Sequence, residues 1–331
     1  MSPRTTITDV ARAAGVSVAA VSKAINGRDG VSPSTRDRIL RVVADLGYES
    51  SLVATSMRRG RTDVIGVLVA EFEPFALELL QGVSAALRDT PYDVLAYAGS
   101  VSAGDHSGWE RRSLSRLGGT LIDGAILVTP TTAPAHASVP IVAIDPRTGT
   151  DGPASVSVHS REGARLATEH LIALGHRRIG HLRGRTDLES AIEREAGYRE
   201  ALAAAGIPFD DALVADGGYR APLATAGAHA LLERTARPTA VFAANDLSAI
   251  EMIRVAVERG LRVPDDLSVI GFDDIPIAAS HEPQLSTIRQ PLVEMGRAAV
   301  RMLLGMLEGQ PPENVRMPAE LVVRASTAPP A

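Results

Sequence analysis

Between residues 62 and 331, short apolar runs rich in β-branched residues recur with helical stretches between them. They are Val64–Val69, Val94–Ala98, Ala125–Val128, Ile141–Ile144, Ile179–Leu182, Ala240–Ala243 and Leu267–Phe272. This alternation constrains the fold more than any other feature, because strands and helices in turn predict parallel sheets covered by helices on both faces. Doubly wound sheets bind ligands outside the carboxyl ends of their strands. The residues after each run are therefore the first place to look for a site.

The first run is followed by Glu71, Phe72, Glu73, Pro74 and Phe75, and Ile144 by Asp145. Asn245-Asp246 follow Ala243-Ala244, and Asp273-Asp274 follow Phe272. With only five Phe, five Tyr and one Trp in the chain, the presence of Phe72, Phe75 and Phe272 at strand ends is informative. Sugar hydroxyls both donate and accept, so carboxylates, amides and arginines pair with them while aromatic faces cover the ring. Any one of these positions reads more simply as a turn or a helix cap; together they point to a polyhydroxyl ligand.

Composition removes other chemistries. There is no cysteine, which excludes thiol catalysis, Cys-ligated zinc and a disulfide scaffold. Lys23 is the one lysine and lies in Val21-Ser22-Lys23-Ala24, without the glycine-rich loop of a phosphate-binding lysine. The eight histidines are scattered; His170, His176 and His181 share no helix face, so no metal, catalytic site or cofactor is expected. No apolar run is long enough for a membrane helix and no secretory signal is read, which makes the cytoplasm the expected compartment and a membrane partner unexpected.

Charge is uneven. Residues 1–61 carry 10 Arg or Lys against 5 Asp or Glu, a net +5, while the other 270 carry 24 against 34, a net −10. A basic head on an acidic body suggests a polyanion-binding module joined to something else. Three helices are predicted in the head. Thr6 to Asp9 has capping-box spacing, with Ile7, Val10, Ala11 and Ala14 inward. After the Gly15-Val16 turn, Ser17 caps a second helix to about Ile25 that buries Val21, Ala24 and Ile25. A third starts at Ser32-Pro33, turns Ile39, Val42, Val43 and Leu46 inward and stops at Gly47. Two helices joined by a glycine turn and braced by a third form a helix-turn-helix. The second helix then offers its N-terminus to a phosphate and the small Val18 and Ala19 to base edges, with Ser22 and Lys23 beside them. Lys23 can donate to guanine, a contact of about 1–3 kcal/mol in discrimination. The plainer alternative is a three-helix bundle without DNA.

The strings Thr6-Ile7-Thr8-Asp9-Val10-Ala11, Ala14-Gly15-Val16-Ser17 and Val21-Ser22-Lys23-Ala24-Ile25-Asn26-Gly27 resemble the head of the LacI/GalR (lactose-repressor/galactose-repressor) family. Val31-Ser32-Pro33, Thr35-Arg36 and Leu46-Gly47-Tyr48 continue the likeness in register. The resemblance implies DNA contacts from Thr6, Ser17, Val18, Ala19, Ser22, Lys23 and Asn26, and a hinge over 48–61 that wedges into the minor groove. Ala54 and Met57 would face the groove and Arg58 the phosphates. Met57 stands where leucine is usual, and Ser50-Ser51 where the family has Pro-Asn. A plain linker is the alternative reading of this segment.

Further along, Thr168 to Leu171, Leu174 to Ile179, Gly197-Tyr198-Arg199, Pro238 to Asp246, Leu267 to Asp274 and Leu285 to Pro291 are similar to the family's effector domain. The resemblance implies a periplasmic-binding-protein type I domain of two doubly wound parallel-sheet subdomains. The expected organisation is a DNA-binding domain over 1–47, the hinge over 48–61 and a ligand-binding and dimerisation domain over 62–331. Within the last, one subdomain spans about 62–157 plus 290–317 and the other about 158–289. The resemblance further places Asp145, Arg194, Asn245 and Asp273 as polar effector contacts, Tyr219 as a stacking ring, and Phe72 and Phe272 in the cleft wall. Leu292 replaces an aromatic contact of some members. Glu71 and Glu73 either select a polyol or an amino-bearing ligand or are merely solvated.

The function expected is a homodimeric repressor released from a pseudo-palindromic double-stranded operator by a small ligand, a sugar before others. Two alternatives stand beside it: a co-repressor logic in which the ligand strengthens DNA binding, and a solute-binding protein.

Overall fold

The computed structural model describes residues 5–25, 28–48, 61–99, 108–132, 137–147 and 152–331. They form two compact units that divide between Thr62 and Asp63.

The first unit is a three-helix bundle of α1 (Ile7–Ala14), α2 (Val18–Ile25) and α3 (Pro33–Asp45). The Thr6–Asp9 capping box is formed in both directions, and Gly15 closes α1 in the left-handed region at φ 62°. Ser32 accepts from Thr35 N–H with Pro33 in the first turn, as a helix start demands. The core is six small side chains, Val10, Ala11, Ala14, Val21, Ala24 and Ile39, with Ile25, Val42 and Val43 partly buried against it. Leu46 departs from expectation. Placed inward by spacing, it is 39% exposed, because α3 ends at Asp45 and Leu46 already belongs to the cap.

The second unit holds two parallel sheets. β1 (Val64–Val69), β2 (Asp93–Ala98), β3 (Gly124–Val128), β4 (Ile141–Ile144), β5 (Ala154–Val158) and β11 (Val315–Met317) form the first, in the order β11-β5-β4-β3-β1-β2. The second comprises β6 (Ile179–Arg183), β7 (Val214–Asp216), β8 (Ala240–Ala243) and β9 (Ser268–Ile270), in the order β7-β6-β8-β9. Every residue of β1, β3, β4 and β8 is buried, as strands covered on both faces require.

The helices between them are α4 (Pro74–Leu87), α5 (Trp109–Leu117), α6 (Ser160–Ala173), α7 (Glu189–Ala204), α8 (Ala221–Leu232), α9 (Asp246–Glu258), α10 (Pro276–Ser280) and α11 (Leu292–Leu307). In each sheet the first strand, β1 or β6, lies between its two successors, so each has a topological switch point at that strand's carboxyl end.

The chain passes between the sheets more than once. After α11 it adds β11 to the first sheet, then β12 (Glu320–Val322) pairs antiparallel with β10 (Thr287–Arg289). The tail beyond is fastened to the second sheet: Val269 N–H donates to Ser326 O at 2.8 Å, and His176 Nε2 lies 2.9 Å from Ala328 O. His181 is core as well. It stacks between Tyr198 and Phe242, its Nδ1 lies 2.9 Å from Phe242 O, and burial pushes its pKa down to about 4. No group of three or more potential metal ligands occurs among the described residues.

Candidate functional site

The head presents one face free of core contacts. Ser17 caps α2, its Oγ accepting from Ala20 N–H at 3.2 Å. Because Val21 and Ala24 are buried, helical spacing turns Val18, Ala19, Ser22 and Lys23 outward; Val18 is 42% exposed. The Lys23 ammonium rests beside Gly30, where a Cβ would come within 3.0 Å of Nζ. Thr6 is exposed, but its hydroxyl donates to Asp9 Oδ2 at 2.6 Å, so it serves as a helix cap. Asn26, Ala54, Met57 and Arg58 lie outside the described residues.

In the body, a cavity lies where the carboxyl ends of both sheets meet. Its wall includes Ala70 and Glu71 after β1, Thr129 after β3, Asp145 after β4, Asn245 after β8 and Asp273 after β9. Arg185 follows β6 and Tyr219 follows β7, Leu188 and Arg220 are the N-caps of α7 and α8, and Arg194 lies within α7. The cavity also gathers backbone strain. Of the six non-glycine residues with positive φ among those described, Thr129, Asp145, Tyr219 and Asp273 line it. Such conformations cost about 1–3 kcal/mol each and persist where the surroundings over-determine them.

Arg194 is the centre of the site. It is 3% exposed, and its guanidinium lies 3.6 Å from the Phe272 ring centroid and 5.7 Å from that of Tyr219. Nη1 donates to Ala244 O and stands 3.8 Å from Asp273 Oδ1, while Nε is buried without a partner among the described residues. A buried donor left without an acceptor costs about 1–3 kcal/mol, so this group is poised to take one. Asp273 also accepts from Gln290 Nε2 at 2.6 Å; burial pushes its pKa up to about 7 against the pull of Arg194.

Asp145 accepts from Ser190 Oγ at 3.0 Å, and burial raises its carboxyl above the usual range. Asn245 caps α9 through its carbonyl oxygen, which accepts from Ser248 N–H at 3.0 Å, leaving its amide N–H groups to offer. Tyr219 fits against Gly184, where a Cβ would fall 2.1 Å from the ring; burial pushes its phenol up to about 12.

Thus Asp145, Arg194, Tyr219, Asn245 and Asp273 converge on one cavity, and the two phenylalanines expected in its wall do not. Phe72 is 50% exposed and Phe75 lines the cavity in its place. The helix explains the exchange. Glu73 is the N-cap of α4, and side chains of a first turn lean back toward the N-terminus, so Phe75 reaches the strand end while Phe72 precedes the cap and turns out. Phe272 is fully buried in the core of the second subdomain and serves as the floor under Arg194. Leu292 belongs to the core of the first subdomain.

Spacing overlooked Thr129, Arg185, Ser190 and Arg220. Thr129 could have been found, since it directly follows an apolar run. The arginines carry no such signal in a chain with 33 of them.

The family model for bacterial regulatory proteins of the lacI family matches residues 6–51, and that for a periplasmic binding protein-like domain matches 168–327. The HTH-type transcriptional regulator CelR of Thermobifida fusca is 36% identical over 98% of both chains. The chain belongs to the lacI family. This lacI-family protein is also 34% identical to the ribose operon repressor of Haemophilus influenzae over 94% of each chain. Among solved structures, a CelR–cellobiose complex superposes with a TM-score of 0.72 at 34% identity, over 98% of this chain and 100% of the other. A lac repressor dimer bound to operator and the anti-inducer ONPF superposes at 0.81 with 28% identity over the same shares. The protein is a DNA-binding transcriptional regulator with a helix-turn-helix head and a periplasmic-binding-protein-like body.

Proposed function

We propose that this regulator is a repressor released from a pseudo-palindromic operator by a small sugar bound in the cavity around Arg194, and that it binds DNA as a homodimer. The observation that carries the reading is the cavity's mixture of groups. An unpartnered Arg194 Nε, the Asn245 amide, the carboxyls of Asp145 and Asp273 and the Tyr219 ring suit a ligand that donates and accepts around a ring. The names of CelR bound to cellobiose and of the ribose operon repressor support the same ligand class. On this reading Val18, Ala19, Ser22 and Lys23 meet bases, Ser17 a phosphate and residues 48–61 the minor groove, while no residue has a catalytic role.

Reading two half-sites needs two heads, which is the reason for the dimer. Effector binding would change the clearance between the subdomains, which Glu71–Arg220 at 3.1 Å and Asp145–Ser190 at 3.0 Å now hold together. The free space is small, about 50 Å³, against roughly 300–1,000 Å³ for pockets that take drug-sized ligands, so the cleft must open to load. The test is selection from random pseudo-palindromic duplexes at two salt concentrations, with and without a sugar mixture. Selective binding that one sugar weakens is expected. Absence of selective binding contradicts the reading, and strengthening by the sugar reverses its sign to a co-repressor.

A further inference from the structure

Three arginines line the cavity, and each already faces a carboxylate. Arg185 Nη2 is 2.6 Å from Asp187 Oδ2, Arg194 Nη1 is 3.8 Å from Asp273 Oδ1, and Arg220 Nη1 is 3.1 Å from Glu71 Oε1. Glu73 and Asp145 add two more carboxyls to the wall, with no arginine in a salt bridge to either among the described residues.

Four lining residues, Glu73, Leu188, Arg220 and Asn245, are the N-caps of α4, α7, α8 and α9. Helix N-termini attract anions through their free N–H groups and the dipole. Here the chain fills that demand itself. Glu73 stands at the N-cap of α4 and Glu189 lies in the first turn of α7, while Asp246, in that of α9, is pushed toward its neutral form by burial. Neither α4 nor α8 has an acid in its first turn: α4 has Glu73 at its N-cap, and at α8 Glu71 reaches the N-cap Arg220 from the opposite subdomain.

We infer that the effector carries no negative charge and that Glu71 is the specificity-determining residue that enforces this, an inference that rests on the sugar reading above. A phosphate or carboxylate on the ligand would have to displace a carboxylate from its arginine and then sit among Glu73, Asp145 and Asp273. Burial already raises all three carboxyls, so a further negative charge there must either face a carboxylate or force it to take up a proton, and both are costly. A neutral polyol meets no such penalty, since its hydroxyls bond to carboxyls and guanidinium groups alike. Glu71 is the member that can be altered alone. Its side chain is 58% exposed, so Glu71→Gln leaves the fold intact while removing one carboxylate from beside Arg220.

The experiment titrates the full-length protein and its Glu71→Gln variant by calorimetry. The probes are matched pairs: cellobiose and cellobionate, glucose and glucose 6-phosphate, ribose and ribose 5-phosphate, with inorganic phosphate alone as a further probe. For any scaffold bound, the neutral member should bind the wild type at least about tenfold more tightly than the anionic one. The variant should narrow that ratio, chiefly by taking the anion better. Inorganic phosphate should not saturate the wild type. An anionic sugar bound as tightly as its neutral partner, saturable phosphate binding by the wild type, or an unchanged ratio in the variant would each overturn the inference. Failure of every sugar, neutral and charged, would instead remove the sugar reading, and the phosphate titration alone would then decide the charge rule.

Discussion

The head and the body solve the same problem at different scales. The head buries six side chains no larger than isoleucine and relies on caps, whereas the body closes two parallel sheets over several extended clusters. A domain of about sixty residues buries only roughly 60% of its unfolded surface and is correspondingly marginal. The body holds four strained residues and an Arg194 Nε without an acceptor among the described residues around one cavity, on a far larger core. A small domain on local signals is thus exposed to single changes, while a large one can hold a strained site.

Single substitutions in either unit separate the two cases. The largest effect is expected at Arg194. Arg194→Ala removes the charge beside Asp273, and breaking such a buried pair costs roughly 3–5 kcal/mol, at the low end here because Asp273 can take a proton. The body should melt earlier and ligand response vanish, with operator binding by the intact head retained. Simultaneous loss of operator binding, read by anisotropy, would mean that the two units do not behave separately.

Ile39→Ala comes next. It opens the largest side chain of the head core at a cost of about 2–5 kcal/mol, enough to unfold so small a unit. Operator binding should be lost while the main calorimetric transition stays in place.

Lys23→Ala, on an exposed face, should weaken cognate operator binding by about 1–3 kcal/mol and relax one base pair per half-site, leaving ligand affinity unchanged. Equal loss on every duplex would assign Lys23 to a phosphate.

The pH dependence sharpens the contrast. Asp273 keeps its proton in the folded body up to about 7 but loses it near 3.8 when unfolded, so its contribution to stability falls as pH rises between those values. His181, pushed down to about 4 from 6.5, contributes in the opposite sense, its stability being lost as pH falls through that interval. Asp273→Asn should therefore make body stability rise more steeply with pH between 4 and 6.5. In the head, hydrogen bonds from Thr6 and the Arg12 charge lower the Asp9 carboxyl, so that contribution is lost only on acidification through the carboxylate range. Denaturant melts of wild type and variant across pH 4–8 would show whether the difference is confined to the body. The smallest effect belongs to Arg165→Gln, which removes an exposed fork to Glu162 and Glu169 and should cost under about 1 kcal/mol in the same melts.

The two units also differ in how much the residues announce. In the head every helix was legible, because the Thr6–Asp9 box, the Ser17 cap and the Ser32-Pro33 start are local signals. Leu46 misled because periodicity does not mark where a helix stops. In the body the apolar runs located β1, β2, β3, β4, β6, β8 and β9, whereas β5, reading ASVSV, and β7, three residues long, lack the contrast that marks a strand. The cavity was legible where a strand end supplied it, at Asp145, Asn245 and Asp273. It was obscure where a helix start did, at Ser190 and Arg220, and at Arg185, which follows β6 but is one arginine among 33. The expectation at Phe72 failed by three residues, for want of knowing where α4 begins.

If the sugar acts on the head through the body, sugar and operator must each change the other's affinity by the same factor. With an operator selected and a sugar in hand, the affinity for DNA is measured with and without the sugar, and that for the sugar with and without DNA. The account predicts one shared factor, typically about 1–3 kcal/mol, with each ligand weakening the other. Affinities for operator and sugar that are each tight yet indifferent to one another would contradict it.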